Sequence, residues 1–198
     1  MRVIAGKFRS RRLHALRGLK LRPTSDRLRE TLFDILTAGN SAALEGTVWI
    51  DLFAGTGAVG IEALSRGAAM VYFVESEKAP AELIRENLRS LGIQSGFALL
   101  EQSSQRALSG LGRKSLRPHF IFLDPPYQQH DLYQEVCDAL GSSTLSERAL
   151  VIAEHEKPFD PGEIWGNFKR LRRLEQGDAA LGFYRRRTKS KEPEAANP

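Results

Sequence analysis

The 198-residue chain predicts an α/β protein built on a mostly parallel sheet, and three observations carry that reading. From Thr47 to Glu154, short apolar runs alternate with amphipathic stretches, as strands alternate with helices. A glycine turn at Gly55, Gly57 and Gly60 directly follows the first of those runs, a place where backbone must come close to something. The last block, 168–187, changes character and reads as two strands around a Gly177-Asp178 turn. Five strands joined by helices require right-handed crossovers, and the terminal hairpin adds an antiparallel edge.

The elements follow in order. Gly6-Lys7 and Arg17-Gly18 are turn points in a segment where Val3, Phe8, Leu13 and Leu16 interleave with arginines, which predicts a small β-hairpin over 1–22. Thr24 or Ser25 caps a helix whose Leu28, Leu32, Ile35 and Leu36 share one face and which Gly39 ends. "TVWIDLF" is a buried strand and 58–66 a helix; "MVYFVES" is the second strand, followed by the helix "KAPAELIRENLRSLG". "FALLE" is a short third strand before a weak helix over 102–110, and "HFIFLD" is the fourth. A helix over 132–140 leads to the fifth strand, "RALVIAE". The polar stretch 188–198, with two prolines, reads as a disordered tail. The domain of interest then spans 23–187.

Composition narrows the class. No apolar run approaches the roughly 18 residues of a membrane span, the N-terminus lacks a signal-peptide core, and a lone Cys137 permits neither an internal disulfide nor a cysteine metal cluster. The expectation is a cytoplasmic, metal-free monomer. Charge is unevenly placed. Residues 1–30 hold ten Lys and Arg against Asp26 and Glu30, so the rest of the chain, against a total of +5, is mildly acidic. A concentrated basic end suits a polyanion, because neutralising phosphates releases counterions. Arg9, Arg11 and Arg12 on the hairpin would track phosphates, with Arg22 and Arg27 nearer the site. Arg27 and Arg29 equally fit a solvated helix face paired with Glu30 or Asp34.

The glycine spacing alone fits a dinucleotide fingerprint, but Asp51 stands four residues before Gly55. There a carboxylate would repel the pyrophosphate that such loops hold at a helix N-terminus. It suits a cationic ligand instead, and S-adenosylmethionine carries a sulfonium and an ammonium. A partner role for the dipole of the following helix is the other reading of Asp51. Phe53, Ala54, Gly55 and Gly57 would bring backbone against that ligand, and Glu75, ending the second strand, can accept hydrogen bonds from ribose hydroxyls or pair with Lys78. The tetrapeptide Asp124-Pro125-Pro126-Tyr127 ends the fourth strand. Two prolines cannot continue a central ladder. Asp124 and the Pro125 carbonyl supply two acceptors and Tyr127 a flat face, which together suit a planar ring with an exocyclic amino group. Cys137, Trp49 and His155 read as core or structural residues.

Together, "RVIAGKFRSRRL", "LRPTSDRLRETLFDIL", "DLFAGTGAVGIEALSRGA", "FVESEKA" and "FLDPPY" resemble the RsmD family over nearly the whole chain. These are bacterial methyltransferases named for N2 methylation of guanine 966 in 16S ribosomal RNA. The resemblance implies a class I methyltransferase fold, with a seven-stranded sheet whose last strand is antiparallel and an N-terminal β-hairpin. It implies S-adenosylmethionine as donor and S-adenosylhomocysteine as product. It carries over Asp51, Gly55 and Gly57 as loop positions, Glu75 as ribose ligand, and Asp124, Pro125 and Tyr127 as the target-amino site. Relatives place Asp or Asn after strand three against the adenine, where this chain has Ser103-Ser104. The implied partner is 16S rRNA, within a small-subunit particle. The same four-residue motif also serves adenine N6 in DNA or RNA, which stays open as an alternative.

Overall fold

Ser25, one of the two residues able to cap the first helix, does so: its Oγ accepts from the Leu28 N–H at 3.1 Å. Helix α1 then runs Asp26–Thr37, burying Leu28, Arg29, Leu32 and Phe33. The computed structural model describes residues 1–15, 25–126 and 128–187. After α1 come β1 (Val48–Leu52), α2 (Ala58–Ser65), β2 (Met70–Val74), α3 (Lys78–Ser90), β3 (Phe97–Leu100), α4 (Ser104–Arg113), β4 (Phe120–Leu123) and α5 (Asp131–Gly141). A 3-10 turn at Thr144–Ser146 precedes β5 (Leu150–Glu156), β6 (Ile164–Trp165), β7 (Phe168–Gln176) and β8 (Ala179–Arg186).

The sheet order is β3-β2-β1-β4-β5-β8-β7-β6. Strands β1 to β5 pair in parallel, and β8 runs antiparallel to both β5 and β7. One core face packs α1, α2 and α3 residues such as Phe33, Ile61 and Ile84, and the other packs Leu108 of α4 and Val136 of α5. The chain therefore changes face and direction between β1 and β4. In open α/β sheets the carboxyl ends of the strands at such a switch point are where ligands bind.

Two expectations change. Among the described residues the sheet has eight strands, because β6, only two residues long, pairs antiparallel with Phe168 and Lys169. Trp165 anchors it: 4% exposed, it sits 5.2 Å ring-to-ring from Tyr184 and 6.0 Å from Phe168. A two-residue strand is too short to show a period of two. Within the described residues 1–15 the N-terminal segment is a closed loop with a single antiparallel bridge, Arg2 to Arg12, in place of a regular ladder there. The N–H groups of Val3, Ser10 and Leu13 donate to the carbonyls of Arg11, Val3 and Met1 at 2.9–3.2 Å. Helix α2 takes four more donors. The Ile4 and Ala5 N–H groups go to the Glu62 carboxylate at 2.7 and 2.9 Å, and those of Lys7 and Phe8 to the Ser65 O and Oγ at 2.7 and 3.0 Å. Donors satisfied by a helix cannot extend a ladder. Residues 16–22 of the expected hairpin, and the tail, lie outside the described residues.

Candidate active site

The glycine loop joins β1 to α2, and its three glycines do three different jobs. Gly55 has φ +56, and a Cβ there would meet only the Phe53 carbonyl oxygen, at 3.8 Å, so the loop faces open space. Gly57, φ +75, is the left-handed residue immediately before α2. Gly60 lies inside the helix, where a Cβ would fall 2.3 Å from the Phe73 ring of β2. Its role is packing of helix on sheet. Phe53, a non-glycine residue with φ +59, turns the chain out of β1, and the Ala54 N–H bonds the Val74 carbonyl at 3.0 Å.

Three carboxylates converge on this loop from adjacent strand ends. Asp51 Oδ2 accepts from the Gly60 N–H at 2.9 Å, inside the first turn of α2. The helix-partner reading of Asp51 is therefore realised on one oxygen. Burial pushes its pKa up to about 8, against the Gly60 bond and reinforced by the charge of Glu75. Glu75 caps the loop with both oxygens, accepting from Gly55 N–H and Glu77 N–H at 2.9 Å each. A ribose would have to share oxygens that already hold the backbone. Asp124, half-buried just past β4, is raised well above the usual carboxylate range by desolvation, then by the charges of Glu154 and Asp51. Among the described residues no Lys or Arg forms an ion pair with Asp51, Glu75 or Asp124. Acids crowded together in low dielectric without a counterion favour a cationic guest. No group of three or more His, Cys, Asp or Glu among the described residues is placed to hold a metal.

Sequence reasoning missed Glu154. It is 2% exposed, one step beyond the Leu123–Ala153 pair of the β4–β5 ladder, so it stands beside Asp124. The Tyr133 hydroxyl on α5 fixes its backbone, donating to the Glu154 carbonyl at 2.7 Å. An acid within the apolar run "RALVIAE" was the available signal. Pro125 is buried and Pro126 exposed, with the Pro126 carbonyl accepting from the Gln129 N–H at 2.8 Å. Tyr127 lies outside the described residues, as does Arg22. Ser103 is exposed and caps α4, its Oγ accepting from Arg106 N–H at 3.4 Å. His155, Trp49 and Cys137 are buried, and the Cys137 thiol, bonded to the Trp165 carbonyl at 3.3 Å, is pushed up to about 11 by that burial.

The basic residues separate into two groups. Arg9, Arg11, Arg12 and Arg27 are exposed, and Arg11 also pins its segment to α3 by donating to the Ser90 carbonyl at 2.8 Å. Arg2, Arg9 and Arg27 line a cavity of about 430 Å³ between the N-terminal segment and α1, and Asp26 and Glu30 share it. Arg29 is fully buried, bonded to Asp26 at 2.9 Å and lying 3.9 Å from Glu62. The solvated-face reading fails for Arg29, which is buried, whereas Arg27 is exposed.

A family model described as conserved hypothetical protein 95 matches residues 1–185. The chain belongs to that family, the RsmD family. A curated Haemophilus influenzae relative, ribosomal RNA small subunit methyltransferase D, is 37% identical over 83% of this chain and 84% of its own. The solved structure of the Escherichia coli protein yhhF superposes with a TM-score of 0.78 at 29% identity, covering 94% of this chain and 97% of that one. A SAM-dependent methyltransferase from Agrobacterium tumefaciens shares the fold at 15% identity, with a TM-score of 0.58 over 80% of this chain and 61% of its own. The RsmD-family chain thus has the class I methyltransferase fold, with an extra two-residue strand beyond β7.

Proposed function

We propose that the chain transfers a methyl group from S-adenosylmethionine to the exocyclic N2 amino group of a guanine in 16S ribosomal RNA. The observation that carries the reading is the gathering of three acids, Asp51, Glu75 and Asp124, around the glycine loop at the switch point, none of them ion-paired with Lys or Arg among the described residues. A pyrophosphate would raise the repulsion there, and a sulfonium relieves it. Asp51, Phe53, Ala54, Gly55 and Gly57 would face the methionine portion and Glu75 the ribose; Ser103, already a helix cap, is a weaker adenine contact than a backbone N–H. The donor supplies an electrophilic methyl group on a positively charged sulfur.

The chain's own part is to align and to accept. Asp124 and the Pro125 carbonyl accept from the two N–H groups of the target amine, which turns its lone pair toward the methyl, and alignment of this kind supplies much of the rate. Beside a bound cation Asp51 and Asp124 would titrate lower, and Asp124 would meet the amine as a carboxylate. It then stabilises the cationic product nitrogen and takes its proton. Tyr127 would stack on the base. Arg9, Arg12, Arg22 and Arg27 would hold phosphates while the guanine leaves its stack, which costs a few kcal/mol and less for an unpaired base. The name of the Haemophilus influenzae relative supports RNA of the small subunit as substrate, and the family resemblance supports guanine N2.

The test is transfer of tritiated methyl groups to small-subunit particles from cells lacking the gene, followed by nucleoside analysis. Label in N2-methylguanosine is the expected result. Label in N6-methyladenosine would keep the site and overturn the target, and failure to bind the donor would overturn the reading altogether.

A further inference from the structure

Asn87, on α3, is fully buried and joins two parts of the molecule distant in sequence. Its Oδ1 accepts from the His14 N–H at 2.7 Å, and its Nδ2 donates to the His14 carbonyl at 3.2 Å. The same Nδ2 donates to the Thr56 carbonyl at 3.0 Å. Thr56 is the residue between Gly55 and Gly57. The side-chain amide therefore pairs with one residue of the N-terminal segment as a neighbouring strand would, and its second N–H holds the middle of the glycine loop.

The arginines lie between two anchors of that segment. On one side, Ile4 and Ala5 are held by Glu62 of α2, the helix that the glycine loop opens. On the other side, two residues after Arg12, His14 is held by Asn87. Arg11 adds a bond to the Ser90 carbonyl at 2.8 Å, on the same helix as Asn87. The segment that would face phosphate and the loop that would face the donor thus share one buried hub.

We infer that Asn87 is a positioning residue that couples the glycine loop to the N-terminal basic segment, so that donor and RNA bind with positive coupling. The inference rests on the proposed function, because it needs both ligands. Its physical basis is ordering: a ligand that fixes either end of the bridge leaves less freedom for the second ligand to remove. Coupling is reciprocal, so either ligand serves as reporter of the other.

The experiment measures S-adenosylhomocysteine affinity, which involves no turnover, with and without small-subunit particles lacking the modification. For the unaltered protein, particles should tighten binding by about fivefold or more, the lower end of usual coupling. In Asn87→Ala the tightening should fall below about twofold, while the two separate affinities change alike or little. Equal coupling in both proteins overturns the inference, as does binding of both ligands to the unaltered protein without coupling. If S-adenosylhomocysteine does not bind the unaltered protein, the functional reading fails, and the inference fails with it.

Hydrogen exchange on the unaltered protein keeps the test independent of how the variant folds. S-adenosylhomocysteine should slow exchange at the His14 amide as well as at Gly55 and Gly57. Protection confined to the glycine loop would show that Asn87 is only a packing residue.

Discussion

Asp51 shows how a single residue carries both a structural and a ligand-facing demand. Its one oxygen on the Gly60 N–H anchors α2, while burial lifts its pKa from 3.8 to about 8. The folded protein then holds a proton that the unfolded chain has released between those two values, so this group's contribution to stability falls as pH rises from 3.8 to about 8. Asp51→Asn should flatten that decline, read as melting temperature against pH without ligand; an unchanged slope would place the carboxylate in a more polar setting. The ligand linkage runs the other way. A cationic donor favours the deprotonated forms of Asp51 and Asp124, so its affinity should climb with pH toward 8 and its binding should expel protons. Calorimetry in buffers of different ionisation enthalpy measures the release, which should be smaller for S-adenosylhomocysteine, the product without the sulfonium. At Asp124 itself, substitution by Ala should abolish methyl transfer and leave donor affinity within a few-fold, on the order of 1 kcal/mol or less. Collapse of donor binding would move Asp124 from the target amine to the donor.

At the scale of elements, the glycine loop divides into a part that faces a ligand and a part that faces the sheet. Gly60→Ala drives a methyl group into the Phe73 ring, with 2.3 Å available, and overpacking of that kind costs about 1–3 kcal/mol. Gly55→Ala meets no such obstacle; its penalty is the left-handed φ of +56, about 1–2 kcal/mol. Melting should therefore fall at least as far for Gly60→Ala, whereas donor affinity should suffer more in Gly55→Ala. The reverse ordering of affinities would mean that the ligand approaches the α2 side of the loop. The strand and helix pattern of residues 47–156 was legible because apolar runs bounded by Gly and Pro report burial on both faces of a parallel sheet. β6 and the irregular N-terminal loop were not legible: one is held by a single buried Trp165, the other by Glu62 and Ser65, 57 to 58 residues away in the sequence.

Across the whole molecule, positive charge gathers on the N-terminal segment and acidic groups gather at the strand ends. Replacing Arg9, Arg11 and Arg12 with Gln should weaken binding to RNA and flatten its salt dependence by about 0.7–0.9 log units per lost phosphate contact. An unchanged slope would leave those arginines as a solvated surface. Because Arg11 also bonds the Ser90 carbonyl, its single replacement should cost stability as well, which the exposed Arg9 provides a control for.

The sequence by itself determined the fold class, the loop after β1 and the placement of Asp51, Glu75 and Asp124 at strand ends, because alternating burial and the glycine and proline breaks are local signals. It also determined the family, since the motifs occur in order along the chain. Only the tertiary structure decided which of those groups are already engaged: Gly60 against Phe73, Glu75 on two backbone donors, Ser103 as a cap. It likewise placed Arg29 in the core, Glu154 beside Asp124, and Asn87 between His14 and Thr56. Those roles depend on which partners meet across the fold, and a contact between residues tens of positions apart leaves no periodicity in the chain to read.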